Sequence, residues 1–508
     1  MNHLRPAVAL LIALACCEGD DPVTNPGPVG PGADAGTAED VADVAQAPDA
    51  KAPVVVAELL PAESIQTAEG LNLQLKGANV KLLDEPAGVW LVPFAFRSHI
   101  WHGNAWDHPA VLYVPQVLAP DGASALVVMQ QGTPDLDAGV DVSIDDDFGA
   151  GTAALLGLPV LVLGQVPDDT IFNPKESPPL TDAFPDCFNR LLQQKDLDDC
   201  ATLLTLESAN PKWSLTVAMA RTYLRAITAV AELPAALQKA EVAGIPVLAP
   251  ARVVLAGAGR RGRALWLAGA ADTRVKGLFV AGADAGDLPA FWALVRAVSA
   301  KAAEQQEADR WAETLAGPLG VWWRSMDDPA TLAPSLAGRA VLIARGTNDP
   351  VSPLGATALY APTLDARTAL VDGYGLGVAT GKHLEAYQGF VASVLAGRPH
   401  LRLTAAWTSS GAFNHTVEAL LEAEGGAAPT VSSVKAWYTD GATLDDADLR
   451  DATWASVDLT PNGTDPQGRP RYKGAVQAIV KHWAGYVELR TVWQGVPALI
   501  TTTAHVAQ

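Results

Sequence analysis

A glycine-rich turn near the middle of the chain has the form of a nucleophile turn, and its central residue is glycine. Residues 253–256 are an apolar, β-branched run, and residues 261–270 have helical spacing. A sharp turn between a strand and a helix is the setting in which ester- and amide-cleaving enzymes expose a serine. That position is Gly259. Since glycine has no side chain to attack a carbonyl, the pattern predicts a nucleophile turn that lacks its nucleophile.

Alternating strand and helix patterns surround this turn. The continuous apolar run at 123–130 is typical of a strand buried on both faces, and 159–164 is a second one. Helical patterns and further strand patterns follow in alternation at 149–156, 213–233, 253–256, 261–270, 275–281, 340–344 and 381–395. This alternation predicts an α/β fold with a doubly wound, mostly parallel sheet. Residues 168–211 are expected to be an irregular excursion, and 288–319 a helical insertion.

The pattern changes after about Arg398. Short segments of rough alternation then occur, at 401–407, 431–438, 455–459, 472–479, 486–493 and 498–506. They predict a C-terminal antiparallel β-sandwich over 398–508, after an α/β domain over 53–397. The tryptophans of this region could stack on sugars or simply form its core.

The first 52 residues have the composition of a targeting segment and a tether. Arg5 precedes an apolar stretch that is too short to span a bilayer and ends in Ala13-Leu14-Ala15-Cys16. This is similar to a bacterial lipoprotein signal, with residues 1–15 removed and Cys16 acylated; Cys17 and an ordinary secretory signal are the alternatives. Residues 16–52, rich in Gly, Pro, Ala and Asp, predict a flexible tether. We therefore expect an exported lipoprotein, membrane-anchored at the bacterial cell envelope.

The net charge argues against one class of binding partner, and the cysteines predict a disulfide. The formal net charge is −21, which argues against nucleic acid because phosphate binding requires clustered Lys and Arg. In an exported chain Cys187 and Cys200 are expected to form a disulfide, with two buried free thiols as the alternative. No cofactor is predicted.

Two clusters contain residue types that can bind metal ions. His99, His102 and His108 lie within ten residues, but their aromatic neighbourhood favours a structural role over zinc. The acidic residues Asp141 and Asp145–Asp147 lack the spacing of a calcium loop and are expected to be solvated. No metal site is predicted.

Several short motifs occur together in one order along the chain. They include Trp106-Asp107-His108, Gly164-Gln165-Val166-Pro167, Gly257-Ala258-Gly259-Arg260-Arg261-Gly262, Trp322-Trp323 and Gly346-Thr347-Asn348-Asp349. Over about Val89 to Val506 the chain resembles the PhoPQ-activated pathogenicity-related proteins, an exported α/β-hydrolase-like family. The resemblance implies an α/β-hydrolase-like fold.

The resemblance also implies a triad in the chain order Ser, Asp, His. In such a triad the serine attacks, the histidine takes its proton and the aspartate orients the histidine. The serine position is Gly259, the acid is Asp349, and the histidine position aligns with Leu376. Backbone N–H groups of Gly132, Thr133 and Arg260 would form the oxyanion hole. Two of three catalytic positions are therefore expected to be vacated, with Asp349 as the remnant acid.

Other residues of the chain could take the roles of the vacated serine and histidine. His383 could act as a displaced base, although its place at the start of a helix favours a surface or capping histidine. Ser325 and Ser352 are expected to be polar loop residues, and Asp349 could instead form a turn because it lies in an Asn-Asp-Pro sequence.

Three functions follow from these expectations. The first is a degenerate hydrolase that binds an unknown ligand or an envelope protein in the vacated cleft. The second is an active serine-type hydrolase of ester, amide or peptide bonds that uses His383 with Asp349. The third is a purely structural envelope protein.

Overall fold

The computed structural model describes most of the chain beyond the tether. Its described residues are 52–86, 88–130, 147–164, 166, 194–283, 285–375, 381–411, 413–426, 429–439, 449–477 and 483–507. The predicted signal, Cys16 and the tether up to residue 51 lie outside them. None of the described helices is long and apolar enough to cross a membrane.

Strands account for the framework of the fold. They are β1 (Gln74–Leu75), β2 (Lys81–Leu82), β3 (Val89–Trp101), β4 (Asn104–Pro115), β5 (Ala125–Gln130), β6 (Val160–Leu163), β7 (Arg252–Ala258), β8 (Val275–Ala281), β9 (Ala340–Gly346), β10 (Arg367–Val371), β11 (His400–Ser409), β12 (Asn414–Glu424), β13 (Thr430–Thr439), β14 (Trp454–Asp458), β15 (Thr460–Thr464), β16 (Pro470–Gln477), β17 (Trp483–Trp493), β18 (Val496–Thr501) and β19 (His505–Ala507).

Helices lie between these strands. They are α1 (Val56–Leu59), α2 (Ala62–Ile65), α3 (Thr152–Leu156), α4 (Gln194–Ser208), α5 (Leu215–Lys239), α6 (Gly259–Ala271), α7 (Leu288–Val298), α8 (Ala302–Ala316), α9 (Pro318–Asp327), α10 (Pro329–Leu336), α11 (Ala356–Tyr360) and α12 (Gly381–Leu395). A π-helical turn, Asp147–Gly151, leads into α3. The irregular excursion expected over 168–211 is wrong for residues 194–208, which form α4.

One large mixed sheet organises the molecule. Its central strands follow the order β6-β5-β7-β8-β9-β10, and all neighbours in this run are parallel. The antiparallel pair β3 and β4 extends it on one side. Because parallel strands need crossovers, helices return the chain across both faces of the sheet. The predicted doubly wound, mostly parallel sheet is confirmed.

The central strands bury both of their faces. On β5, Leu126 and Val128 enter one core with α5 and α6, whereas Val127 and Met129 enter the other with α12. All six residues of β5 are buried. This two-sided burial accounts for the continuous apolar sequence, since neither face needs polar side chains.

The C-terminal strands form a sandwich that continues the main sheet. β18 pairs antiparallel with β10, and β17, β13 and β14 follow it in the same sheet. A second antiparallel sheet has the order β11-β12-β16-β15. Side chains from β12 and from β13 and β17 share one core. The predicted antiparallel sandwich is confirmed, and the pairing of β10 with β18 attaches it firmly to the α/β part.

Candidate functional site

The turn after β7 has the backbone of a nucleophile turn. Gly259 is the first residue of α6 and has φ +54°, while Ala258 before it is extended. A Cβ atom built on Gly259 would meet no atom of the described residues within 4 Å, its chain neighbours aside. The left-handed conformation is strained for other residues and free for glycine. The turn therefore keeps its sharp shape and open space above it, without a reactive side chain.

The flanking glycines are required by close contacts. A Cβ on Gly257 would lie 2.7 Å from the Tyr223 hydroxyl oxygen, and a Cβ on Gly262 would lie 2.8 Å from the Gly257 carbonyl oxygen. These distances are shorter than any relaxed carbon–oxygen contact. The small residues thus allow α6 to pack directly against the end of β7, which fixes the direction in which residue 259 faces.

Asp349 follows β9 at the same edge of the sheet as Gly259. Ala258 is level with Ala281 on β8, and Ala281 is level with Ala344 on β9, so both turns extend beyond the carboxyl ends of parallel strands. The Asp349 side chain is 2 % exposed. Its Oδ1 accepts hydrogen bonds from the backbone N–H groups of Val351 (2.8 Å) and Ser352 (3.1 Å). The carboxylate therefore closes the turn at Asn-Asp-Pro.

Two buried arginines hold this acid-bearing loop, which comprises residues 347–353. Arg345 donates to the carbonyl oxygens of Ser352 (2.7 Å) and Pro353 (3.1 Å). Arg450, from the C-terminal part of the chain, donates to the Pro350 carbonyl oxygen at 2.9 Å. It also forms an ion pair with Glu304 of α8 at 2.7 Å, and both side chains are 8 % exposed. The loop is thus fixed from both the α/β part and the sandwich.

Glu304 is ionised in this arrangement. Burial raises the pKa of its carboxyl, but hydrogen bonds from Arg450, Ser299 and Lys301 together with the Arg450 charge outweigh burial and lower it to about 2. Ser299 donates to Glu304 at 2.6 Å. The buried carboxylate is thus stabilised by donors on several sides, as a buried charge requires.

The loop after β10 packs against the acid-bearing loop. The backbone N–H of Asn348 donates to the Tyr374 carbonyl oxygen at 3.0 Å, and that of Gly373 donates to the Thr347 hydroxyl at 2.9 Å. Gly346 is in such close contact with this loop that an added Cβ would overlap the Tyr374 carbonyl. Leu376, the predicted base position, lies outside the described residues. The structure therefore brings the two loops together without showing residue 376.

His383 lies in the first turn of α12 and is buried, so the expected surface position is wrong. Its relative exposure is 0 %, and its ring contacts the edge of Tyr374 with a centroid distance of 5.1 Å. Burial lowers the pKa of His383 to about 4. The neighbouring Lys382 forms ion pairs with Asp372 and, at 2.8 Å, with Glu488. These pairs anchor the start of α12, which places a neutral imidazole next to the loop after β10.

We expect the buried His383 ring to lower the free energy of unfolding in mild acid. An imidazole in the unfolded chain takes up a proton near pH 6.5, whereas the folded state resists protonation down to about pH 4. Stability is therefore fully present above pH 6.5 and is lost as the pH falls towards 4, by about 2 kcal/mol at pH 5. His383→Gln should show a correspondingly smaller loss in urea unfolding between about pH 7.5 and pH 5. Equal losses in both proteins would contradict a buried neutral ring.

The predicted oxyanion residues are only partly described. Gly132 and Thr133 lie outside the described residues. Arg260 is the second residue of α6, directly after Gly259. β5, which leads towards Gly132, ends beside β7, since Met129 is level with Ala256. The backbone N–H of residue 260 thus has the position after the nucleophile that an oxyanion hole uses.

The serine alternatives have structural contacts. Ser325 donates to the Trp322 carbonyl oxygen at 2.6 Å and accepts from the Val54 N–H at 2.8 Å. Ser352 is buried, and its backbone binds both Asp349 and Arg345. Both serines are buried. Ser325 lies within α9, so the expected loop position is wrong for this residue.

Of the three histidines near β3 and β4, two share one serine hydroxyl and the third stacks on a tryptophan. The His108 ring lies 2.9 Å from the Ser98 hydroxyl, which also contacts His99 at 2.8 Å. His102 stacks on Trp213 with a centroid distance of 3.4 Å. Among the described residues no group of three His, Cys, Asp or Glu could hold a metal ion. Asp141, Asp145 and Asp146 lie outside these residues.

Cys200 on α4 is disulfide-bonded and buried. Cys187, its predicted partner, lies outside the described residues, so the pairing stays a prediction. The disulfide itself fits the expectation for an exported chain.

The strand order, the turn between β7 and α6 and the acid after β9 define an α/β-hydrolase-like protein. The sequence model of the family described as PhoPQ-activated pathogenicity-related protein matches residues 79–290, which confirms the resemblance predicted from the motifs. The matched region includes Gly259 and ends before Asp349 and Leu376. No curated protein sequence matches the chain.

Several solved structures are similar to this one. An acetyl xylan esterase from Paenibacillus sp. R4 is 14 % identical with a TM-score of 0.42, covering 67 % of this chain and 94 % of the esterase. Acetyl xylan esterase 1 from Thermoanaerobacterium sp. JW/SL YS485 is 16 % identical with a TM-score of 0.38, covering 68 % and 95 %. A glucuronoyl esterase from Solibacter usitatus is 13 % identical with a TM-score of 0.38, covering 67 % and 92 %. Nothing about activity or substrate follows from similarities at this level.

Proposed function

We propose that this chain is an exported, catalytically degenerate α/β-hydrolase that binds a ligand or an envelope protein in the cleft above Gly259. One observation carries the proposal: Gly259 has the conformation and the open space of a nucleophile position but no side chain. Acyl transfer through a covalent intermediate requires a nucleophile at that point. The fold can keep a binding function at this place without that chemistry.

Two buried polar atoms near the turn support a binding role. The hydroxyl oxygen of Tyr223 and the side-chain nitrogen of Gln130 have no hydrogen-bond partner among the described residues. Tyr223 contacts the Gly257 position, and Gln130 is the last residue of β5 beside β7. A buried donor without a partner costs stability unless water or a ligand satisfies it.

An active hydrolase is the second candidate, and the position of His383 favours it. Its neutral ring contacts Tyr374, and the backbone of Tyr374 is bonded to Asn348 beside the acid. The ring is neutral, as a general base must be before it accepts a proton. This candidate still needs a hydroxyl or thiol that reaches the same cleft.

The two candidates differ in ester hydrolysis by the unchanged protein. We expect the purified chain to hydrolyse short-chain nitrophenyl esters no faster than Asp349→Asn or His383→Gln variants, because residue 259 provides no nucleophile. Asn at 349 keeps an acceptor for the turn. Asp309→Asn, at an exposed position, is the matched control. Saturable hydrolysis that both site variants abolish and the control retains would overturn the degenerate assignment and establish the active hydrolase.

A further inference from the structure

A second cavity lies at the opposite edge of the main sheet, where strands β7 to β10 begin. Its volume is about 710 Å³, and it is lined by the amino ends of these strands and by the residues that follow α10 and α12. β7 spans seven residues from this edge to the Gly259 turn. At about 3.3 Å per residue, the two places are roughly 20 Å apart. The cavity is therefore separate from the candidate cleft.

Four cationic side chains lie among the apolar residues that line this cavity. Arg252, Lys276, Arg339 and Arg367 line it, against one carboxylate, Asp365. Asp365 is itself ion-paired with Arg402 at 2.7 Å. Such a cluster is unexpected in a chain with a net charge of −21, since general solubility would be served by acidic residues.

Most of these cations bind carbonyl oxygens rather than carboxylates. Arg252 donates to Val394 and Leu395 at the end of α12, and Lys276 donates to Thr273. Arg339 donates to the Ala337 carbonyl oxygen. Ion pairs within the described part of the chain involve none of these three cations. Carbonyl bonds position these three cations without a carboxylate partner, whereas Arg367 is paired with Glu424 at 3.9 Å.

Two lining residues also have buried nitrogen atoms without a partner among the described residues, namely Arg339 Nε and His400 Nδ1. A guanidinium has five N–H donors, and the single carbonyl bond of Arg339 uses one of its Nη1 hydrogens. Unused donors and charge in one cavity are the properties of an anion site.

We propose that this cavity binds a small phosphate-bearing anion. Guanidinium groups match the geometry of phosphate oxygens, and a cavity of this volume has the size of a small-molecule site. The phosphate comes either from a soluble compound or from the headgroup of an anionic lipid at the membrane to which the chain is expected to be anchored. The proposal is independent of any chemistry at Gly259.

Binding is tested with three probes on the full chain. Inorganic pyrophosphate represents the soluble source, and phosphatidylglycerol-containing vesicles, compared with pure phosphatidylcholine vesicles, represent the lipid source. Affinity is measured by calorimetry or sedimentation with vesicles. The test variant is Lys276→Ala/Arg339→Gln. The matched control, Lys239→Ala/Arg296→Gln, removes the same charge at exposed positions outside the cavity.

The expected result is binding that the test variant weakens by at least about tenfold, since two cations that would form charge-assisted hydrogen bonds to the anion are removed. The control should bind as the unchanged chain does. Loss of pyrophosphate binding identifies a soluble ligand, and loss of vesicle binding alone identifies a lipid headgroup. Absence of binding to every probe, or equal weakening in test and control variants, would overturn the proposal.

The His400 ring provides a readout that is local to the cavity. Burial and the positive charge of Arg367 lower the pKa of His400, and Glu424 opposes them. A bound anion adds negative charge, so the NMR-detected pKa of His400 should rise when pyrophosphate saturates the protein. An unchanged His400 pKa alongside saturable binding would place the anion elsewhere and contradict this site.

Discussion

Gly259→Ser/Leu376→His is expected to hydrolyse nitrophenyl acetate, whereas the unchanged chain should not. A serine at residue 259 would have room for its side chain, since an added Cβ meets no atom of the described residues within 4 Å. The φ of +54° costs a serine about 1–3 kcal/mol of strain, which a well-packed fold of this size can absorb. The strain is the same that places a nucleophile above the sheet in active enzymes of this fold.

The two substitutions should act together rather than separately. Serine alone has no base to take its proton, and histidine alone has no nucleophile to activate. A general base contributes about 10²–10⁴-fold to such a reaction. We therefore expect kcat/KM of the double variant to exceed that of Gly259→Ser by roughly 100-fold, with Asp349 required to orient the new histidine.

Controls separate chemistry from incidental effects. Adding Asp349→Asn to the double variant should remove most of the gain. Gly397→Ser/Leu376→His is the matched control, because Gly397 also has a positive φ and open space around it but lies far along the chain from the turn. If the folded double variant is no more active than this control, the hypothesis that the site lacks only its serine and histidine side chains is contradicted.

Much of the α/β framework could be predicted from the sequence, because a strand that is buried on both faces has a continuous apolar sequence. The apolar runs at β5 and β6 occur where the structure has fully buried strands. β12 was missed for a physical reason. Its residues 418–423 are mostly strong helix formers, yet Val417, Ala419 and Leu421 alternate into the core. The facing sheet decides this conformation, and local propensity does not.

The candidate site was predictable only where its residues are close in sequence. Gly259 stands within a local strand–turn–helix pattern, so its position could be inferred. The burial of His383 could not, because it depends on Tyr374 and on Lys382 binding Glu488, which is 106 residues away. Nor could Arg450, which reaches the acid-bearing loop from 100 residues further along the chain. No local pattern encodes such contacts.

Arg450→Met should destabilise the protein more than any surface substitution, by about 3–5 kcal/mol. Glu304 would then remain buried without its arginine, and Pro350 would lose its donor. Ser299 and Lys301 still bind the carboxylate, which favours the lower end of this range. The free energy of unfolding from urea denaturation at pH 7 measures the effect. Arg296→Met, which breaks an exposed ion pair, should cost at most about 1 kcal/mol.

A double-mutant cycle isolates the ion pair from general damage. Glu304→Gln/Arg450→Met removes both charges, so it should be less destabilised than the two single variants added together, by at least about 1 kcal/mol. Simple additivity would mean that the arginine acts mainly through Pro350 or through packing. That result would contradict a stabilising buried pair.

The pH dependence of the free energy of unfolding tests the same ion pair independently. The pKa of Glu304 is about 2 in the folded protein and near 4.5 when unfolded, so the stability from its ionised form is present above pH 4.5 and is lost as the pH falls towards 2. The difference between the unchanged chain and Arg450→Met should shrink over that interval. Because Arg450 also fixes Pro350 beside Asp349, the same substitution should lower the activity gained by Gly259→Ser/Leu376→His. An activity that survives loss of Arg450 would show that the acid-bearing loop keeps its position without the sandwich.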